Sequence, residues 1–281
     1  MQPMYRHLLA SSLAVGLMGF GGAAKAAYTW ALNSSNNAGT ETAPTFREAT
    51  GAGDVVVTGW TEDTIEGSAL VGVPLTESGG DIYAGGIRID QNNDPSEDPP
   101  QHALDNDAKD ENGNMTKGRE SLVFQFTESI ALQQIGFEWA RECSTAGKTN
   151  DTGCLATADV DVWYYAGAGA PTLAGQTYAG ILTDLDSGWK LLDKFDNVTG
   201  GNTTKLNNSG TTAKAATYWL VAPALDKRGS YHYDFVKVAS IGGEKATPPP
   251  PPPPPGDVPV PATLVLFVAG LPLLRLARRT R

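Results

Sequence analysis

Histidine, cysteine and methionine are scarce in this chain of 281 residues, at three, two and four respectively. His7 falls in an N-terminal leader, which leaves His102 and His232 for the body of the protein. Neither stands in a nucleophile elbow or a zinc-binding histidine pair, so Ser/His/Asp, Cys/His and zinc-hydrolase chemistry have little to draw on. No glycine-rich phosphate loop follows a strand-like segment, which argues against nucleotide chemistry. Basic charge is short as well. Of 21 lysines and arginines, six lie in the terminal segments, and of 31 acidic residues only Asp257 does, which leaves 15 bases against 30 acids between Ala27 and Ala246. A body that acidic repels a phosphate backbone, so nucleic acid is excluded as a natural partner. Sustained apolar stripes of helical period are missing too, and with them the case for a helical bundle.

What remains is β-rich. Asp54–Trp60, Ile82–Ile89, Ser121–Thr127, Ile130–Trp139, Ala158–Tyr165 and Tyr231–Val238 are short runs rich in branched and aromatic residues, and several alternate apolar with polar side chains. Leu122, Phe124 and Phe126 should share one face, and Val160, Val162 and Tyr164 another. Trp189–Phe195 reads equally as a helical turn or a strand. The expected fold is all-β, an antiparallel β-sandwich of jelly-roll type. Trp60, Trp139, Trp163, Trp189 and Trp219 lie in or near strands, where core packing is their commoner fate; exposed, they would make a sugar-stacking platform.

The two ends read as addresses. Met1 to His7 carries Arg6, Leu8 to Gly22 is apolar, and Ala23-Ala-Lys-Ala26-Ala27 supplies the small-residue ending of a secretory signal peptide, cleaved after Ala26. At the other end Pro248 to Pro255 form an unbroken polyproline II rod of about 25 Å. Asp257-Val-Pro259-Val260-Pro261-Ala262-Thr-Leu follows, then an apolar run to Leu274, then Arg275, Arg278, Arg279 and Arg281. A helix from Ala262 to Leu274 covers about 20 Å, a marginal membrane span. Terminal arginines resist translocation, so such a tail halts with its end in the cytoplasm and the passenger outside. The chain thus divides into a signal peptide (1–26), a passenger (27–246), a proline-rich linker (247–257) and a tail (258–281).

A proline motif, an apolar stretch and a terminal arginine cluster at the end of an exported chain resemble the PEP-CTERM sorting signal read by exosortase in Gram-negative bacteria. Here Pro259-Val260-Pro261 stands where the usual signal has Pro-Glu-Pro. The order Tyr83-Ala-Gly-Gly-Ile-Arg-Ile89, His102-Ala-Leu-Asp-Asn106, Glu120-Ser-Leu-Val-Phe-Gln-Phe126 and Ile135-Gly-Phe-Glu-Trp139 is also similar to exosortase-dependent surface proteins over roughly Tyr83 to Tyr165. The resemblance implies export, signal peptidase and exosortase as processing partners, transient inner-membrane anchoring, and a surface or extracellular-matrix role. It carries no catalytic residues.

Two features of the passenger bear on chemistry. Cys143 and Cys154, alone in an exported chain, are expected to form a disulfide stapling a hairpin between the strand ending near Trp139 and the one beginning near Ala158. Their spacing does not suit Cys-x-x-Cys redox chemistry. Between Asp90 and Glu111 lie eight acids, among them Asp90, Asp94, Asp105, Asp107 and Asp110, against the single base Lys109. A solvated acidic loop is the first reading, and an irregular Ca2+ site is the second, because Ca2+ takes six to eight hard oxygen ligands. An EF-hand is excluded: after Asp110, Asn112 and Asn114, Met115 replaces the required glycine and Ser121 the bidentate glutamate. The chain therefore reads as a non-enzymatic exported protein needing no cofactor save Ca2+ if that loop binds it. The alternatives are a carbohydrate-binding module recognising extracellular polysaccharide and, third, an extracellular hydrolase.

Overall fold

The computed structural model describes residues 27–33, 38–39, 44–48, 51–62, 69–73, 75–77, 87–89, 103–106, 119–144, 153–226 and 233–246. The signal segment, the proline linker and the sorting tail lie outside the described residues, as do His102, His232, Asp90, Asp94, Asp107, Asp110, Pro259, Val260, Pro261, Ala262 and Arg275, Arg278, Arg279 and Arg281. Among the described residues no helix is long and apolar enough to cross a membrane.

The fold is all-β and antiparallel. In chain order the strands are β1 (Tyr28–Ala31), β2 (Thr45–Phe46), β3 (Val55–Glu62), β4 (Leu70–Val73), β5 (Leu75–Glu77), β6 (Ile87–Ile89), β7 (Leu104–Asp105), β8 (Glu120–Cys143), β9 (Thr157–Tyr165), β10 (Trp189–Thr199), β11 (Asn202–Lys205), β12 (Ala216–Pro223) and β13 (Tyr233–Lys245). Among the described residues the one α-helix, α1, spans Tyr178–Thr183 and is capped by Thr177, whose side-chain oxygen accepts from the Gly180 N–H at 2.9 Å.

β8 organises the whole. Its first half pairs β3 on one side and β12 on the other; its second half pairs β13 along its length and β11 over four residues. β9 lies between β12 and β10, and β1, β6 and β7 pair β13. Two expected strands, Ser121–Thr127 and Ile130–Trp139, are thus one. Glu128 and Ser129 between them are polar and form the stretch where β8 passes from one set of partners to the other, with side chains outside the core. Trp189–Phe195 is a strand, not a helical turn. Gly188, at φ 83°, makes the left-handed turn into it, and a Cβ there would stand 2.6 Å from the Tyr165 ring.

The alternation read in the sequence places the core. Leu122, Phe124 and Phe126 bury on one face of β8, and Val160 and Val162 of β9 lie on the same face of the sheet across β12, with Tyr164 packed partly against the same cluster. Val55 and Val57 of β3, Trp219 and Val221 of β12, and Val236, Val238 and Ile241 of β13 complete it. A second cluster, of Val123, Trp163, Trp189, Leu220 and the α1 residues Tyr178 and Ile181, covers the opposite face. Trp163, Trp189 and Trp219 are therefore core residues, while Trp60 and Trp139 are half-buried. The α1 patch is pinned by polar contacts: Arg119 forks onto the Glu62 carboxylate at 2.7 and 3.1 Å, its guanidinium lies 5.6 Å from the Tyr178 ring centroid, and the Tyr178 hydroxyl donates to Ser121 Oγ at 2.8 Å.

The Cys143–Cys154 disulfide is formed. It does not staple a hairpin. β8 and β9 follow one another in the chain, but β9 pairs β10 and β12, and the one backbone pairing near this junction among the described residues is an isolated antiparallel bridge between Glu142 and Leu155, just before β9. The physical reason is competition: β9 is flanked by β10 on one edge and β12 on the other, so its hydrogen-bonding edges are taken.

Candidate functional site

Beside the disulfide, three strands bring three acids together. Glu142 lies at the end of β8, Asp234 at the start of β13 directly across from it, and Asp159 near the start of β9. One carboxylate oxygen from each lies within 4.8 Å of the other two. All three are buried, Asp234 completely and the others at 6–7% exposure. Like charges placed opposite one another in a ladder repel, so the cluster persists only because its backbone surroundings hold it.

Those surroundings are specific. Asp234 Oδ1 accepts from the Asp159 N–H at 2.6 Å and Oδ2 from Asn106 Nδ2 at 3.0 Å. Asn106, fully buried just after β7, also accepts the Asp234 N–H at 2.8 Å and donates to the Ala224 carbonyl at 2.6 Å. Asp159 Oδ1 accepts the Asn197 N–H at 2.8 Å. That N–H is aimed by a β-bulge: Asn197 has φ 60°, a left-handed conformation asparagine tolerates, in the register shift of β10 between Phe195 and Val198. Thr157 donates its hydroxyl to Glu142 Oε2 at 3.2 Å.

Burial and proximity set the electrostatics. Asp234 is pushed up to about 8, first by loss of water and then by the charges of Asp159 and Glu142, against which the hydrogen bonds from Asp159 and Asn106 act. Glu142 is raised by burial, then by Asp159 and Asp196, with the Thr157 hydrogen bond pulling the other way. Compared with protein-family models, with curated proteins and with solved structures, the chain matches none. The site is therefore read from its own chemistry.

That chemistry is of two kinds. Three hard oxygens at this spacing can surround a cation of Ca2+ size, whose opposite ligands stand roughly 5 Å apart at bond lengths of 2.3–2.6 Å. Without a cation, the same groups hold a proton near neutrality. Glycosidase chemistry, which also uses paired carboxylates, requires a sugar ring between them. Side chains this deeply buried leave no room for one.

The acidic loop picked out in the sequence meets this site at one point. Asp105, its one described member among the Ca2+ candidates, is a half-buried β7 residue paired with Phe235; its N–H donates to Glu120 Oε2 at 3.2 Å, and it is not one of the three. Its neighbour Asn106 is the residue that enters. Glu142, Asp159 and Asp234 were missed because they lie on three different strands far apart in sequence. The available signal was an acid at a strand position whose neighbours bury, as in Ala158-Asp-Val-Asp-Val162 and Tyr233-Asp-Phe-Val236.

Proposed function

We propose that the chain is an exported, exosortase-sorted surface or extracellular-matrix protein whose passenger, a jelly-roll-like β-sandwich, is non-enzymatic. The observation that carries this reading is the Cys143–Cys154 disulfide: both cysteines of the chain are consumed in one bond, as suits an oxidising compartment. The ends of the sequence agree with it. Signal peptidase removes residues 1–26, the tail enters the inner membrane and is stopped by Arg275, Arg278, Arg279 and Arg281, and exosortase acts at Pro259-Val260-Pro261-Ala262. Mass spectrometry of the mature C-terminus, in cells with and without the sorting protease, tests it. Loss of the arginine tail only where the protease is present is expected; an intact Arg281 in both strains refutes the reading.

The Glu142, Asp159 and Asp234 cluster favours a second reading, a Ca2+-dependent module that binds extracellular polysaccharide. On this reading the ion is structural, fixing the shared ends of β8, β9 and β13, and the sugar binds elsewhere. Calorimetry with the host's polysaccharide, with and without chelator, separates the two: heat that disappears on chelation supports the module, and no heat in either condition excludes it.

A further inference from the structure

We infer that the sheet face opposite the main core carries a binding site for a neutral saccharide chain, a site that rests on the second functional reading above and supplies the sugar contact which that reading leaves open. The strand register lays one row of side chains across five strands. Val56 of β3 stands opposite Gln125 of β8, Gln125 opposite Tyr218 of β12, and Tyr165 of β9 opposite Trp189 of β10. The rings of Tyr218 and Tyr165 join the two halves, with centroids 6.2 Å apart. At about 4.8 Å between neighbouring strands the row is about 19 Å long. α1 covers this face at Ser121, four residues back along β8, where the Tyr178 hydroxyl donates to Ser121 Oγ. The row itself is left open: Gln125 is exposed, and Val56, Tyr218 and Tyr165 are half-buried.

Three features fit this row to a sugar. The Tyr165 ring is fixed before any ligand arrives: a Cβ on Gly167 would stand 2.5 Å from it and one on Gly188 2.6 Å, and Tyr218 meets it edge-on at 90°. Rings held in place offer apolar area to the C–H face of a pyranose at little cost in entropy. Charge is absent as well. Neither this row nor the next, from Thr58 to Leu191, holds an acid or a base, although the passenger carries 30 acids and 15 bases. Such a strip suits an uncharged ligand, and Gln125 with the tyrosine hydroxyls supplies neutral donors and acceptors. The third feature is Trp189, 5.4 Å from Tyr165 between ring centroids, whose buried indole N–H has no partner. A buried donor left unpaired is kept at a cost, and a saccharide hydroxyl beside Tyr165 is the acceptor it lacks.

The test is calorimetry of the purified protein, disulfide intact and Ca2+ present, with the host's extracellular polysaccharide separated into neutral and acidic fractions. The parent should bind the neutral fraction. Tyr165→Ala and Tyr218→Ala should each weaken that binding by about tenfold, while Tyr165→Phe and Tyr218→Phe, which keep the ring, should stay within about threefold of the parent. Should an alanine variant unfold at a lower urea concentration than the parent, Gln125→Glu decides. Its side chain is exposed, so the fold is spared, and the charge it brings into the row should weaken binding by about threefold or more. If the parent binds the neutral fraction while both alanine variants and Gln125→Glu stay within about twofold of it, the sugar sits elsewhere: this site is refuted and the module reading stands. Binding to the acidic fraction alone has the same meaning. A parent that binds neither fraction refutes both.

Discussion

Raising the pH from about 4 to about 9 with the disulfide intact and a chelator present isolates the proton held by Asp234. In the unfolded chain this carboxyl ionises near its ordinary value of 3.8, and in the folded protein near 8. Between those values the folded chain keeps a proton that the unfolded chain has given up, so stability must fall as the pH rises through the interval. The contribution is complete below the lower value and gone above the upper one. Each tenfold change in proton affinity is worth about 1.4 kcal/mol, so the interval bounds the effect at about 6 kcal/mol. Glu142, also raised, adds a smaller slope of the same sign. The net negative charge of the passenger pushes in that direction as well, so the parent must be compared with Asp234→Asn. Urea unfolding at each pH gives the two curves. Asparagine mimics the protonated carboxyl, so the two curves should lie closest at low pH and separate as the pH rises, the parent falling and the variant staying much the flatter. Parallel curves, or a parent that gains stability towards pH 8, would refute the idea that the cluster holds a proton.

Three further perturbations follow from the packing. Replacing Cys143 and Cys154 together by serine should cost about 3 kcal/mol, the chain-entropy value for a loop of this length, seen as a lower urea midpoint with unchanged slope. Arg119→Met removes the guanidinium from the buried Glu62 carboxylate and should cost about 3–5 kcal/mol, whereas Glu62→Gln combined with Arg119→Met should recover most of that; a double variant no more stable than the single one would show that the pair itself is not the issue. Gly243→Ala puts a Cβ 2.5 Å from the Ala131 carbonyl oxygen, a backbone atom that cannot swing aside. Thermal unfolding should register a loss of about 1–3 kcal/mol there, and none at Gly201, where a Cβ meets open space, beyond the cost of its positive φ.

The fold class was legible because period-two alternation is a local signal. Leu122, Phe124 and Phe126 announce their shared face within five residues, and the structure buries all three together. β12 was not read: its Leu220-Val-Ala-Pro223 end is apolar on both faces, because one side packs on the main core and the other under α1, which erases the alternation. The joining of two expected strands into β8 was illegible for the opposite reason, since polar residues in mid-strand look like a turn unless the change of partners is known. The disulfide followed from counting cysteines, but what it joins did not, because the pairing of β9 with β10 and β12 is a long-range choice. The carboxylate cluster was the least visible of all. Its members come from β8, β9 and β13, and nothing in the neighbourhood of Asp234 says that Glu142 will stand opposite it.

A strand of 24 residues that serves two sets of partners in turn has a mechanical meaning. Backbone displacement at Thr127–Ser129 is felt by β3 and β12 on one side of that point and by β13 and β11 on the other, so neither group can melt while its neighbour stays intact. The passenger should come apart in one cooperative event, and splitting the polypeptide at that point should yield two fragments that regain structure only when mixed.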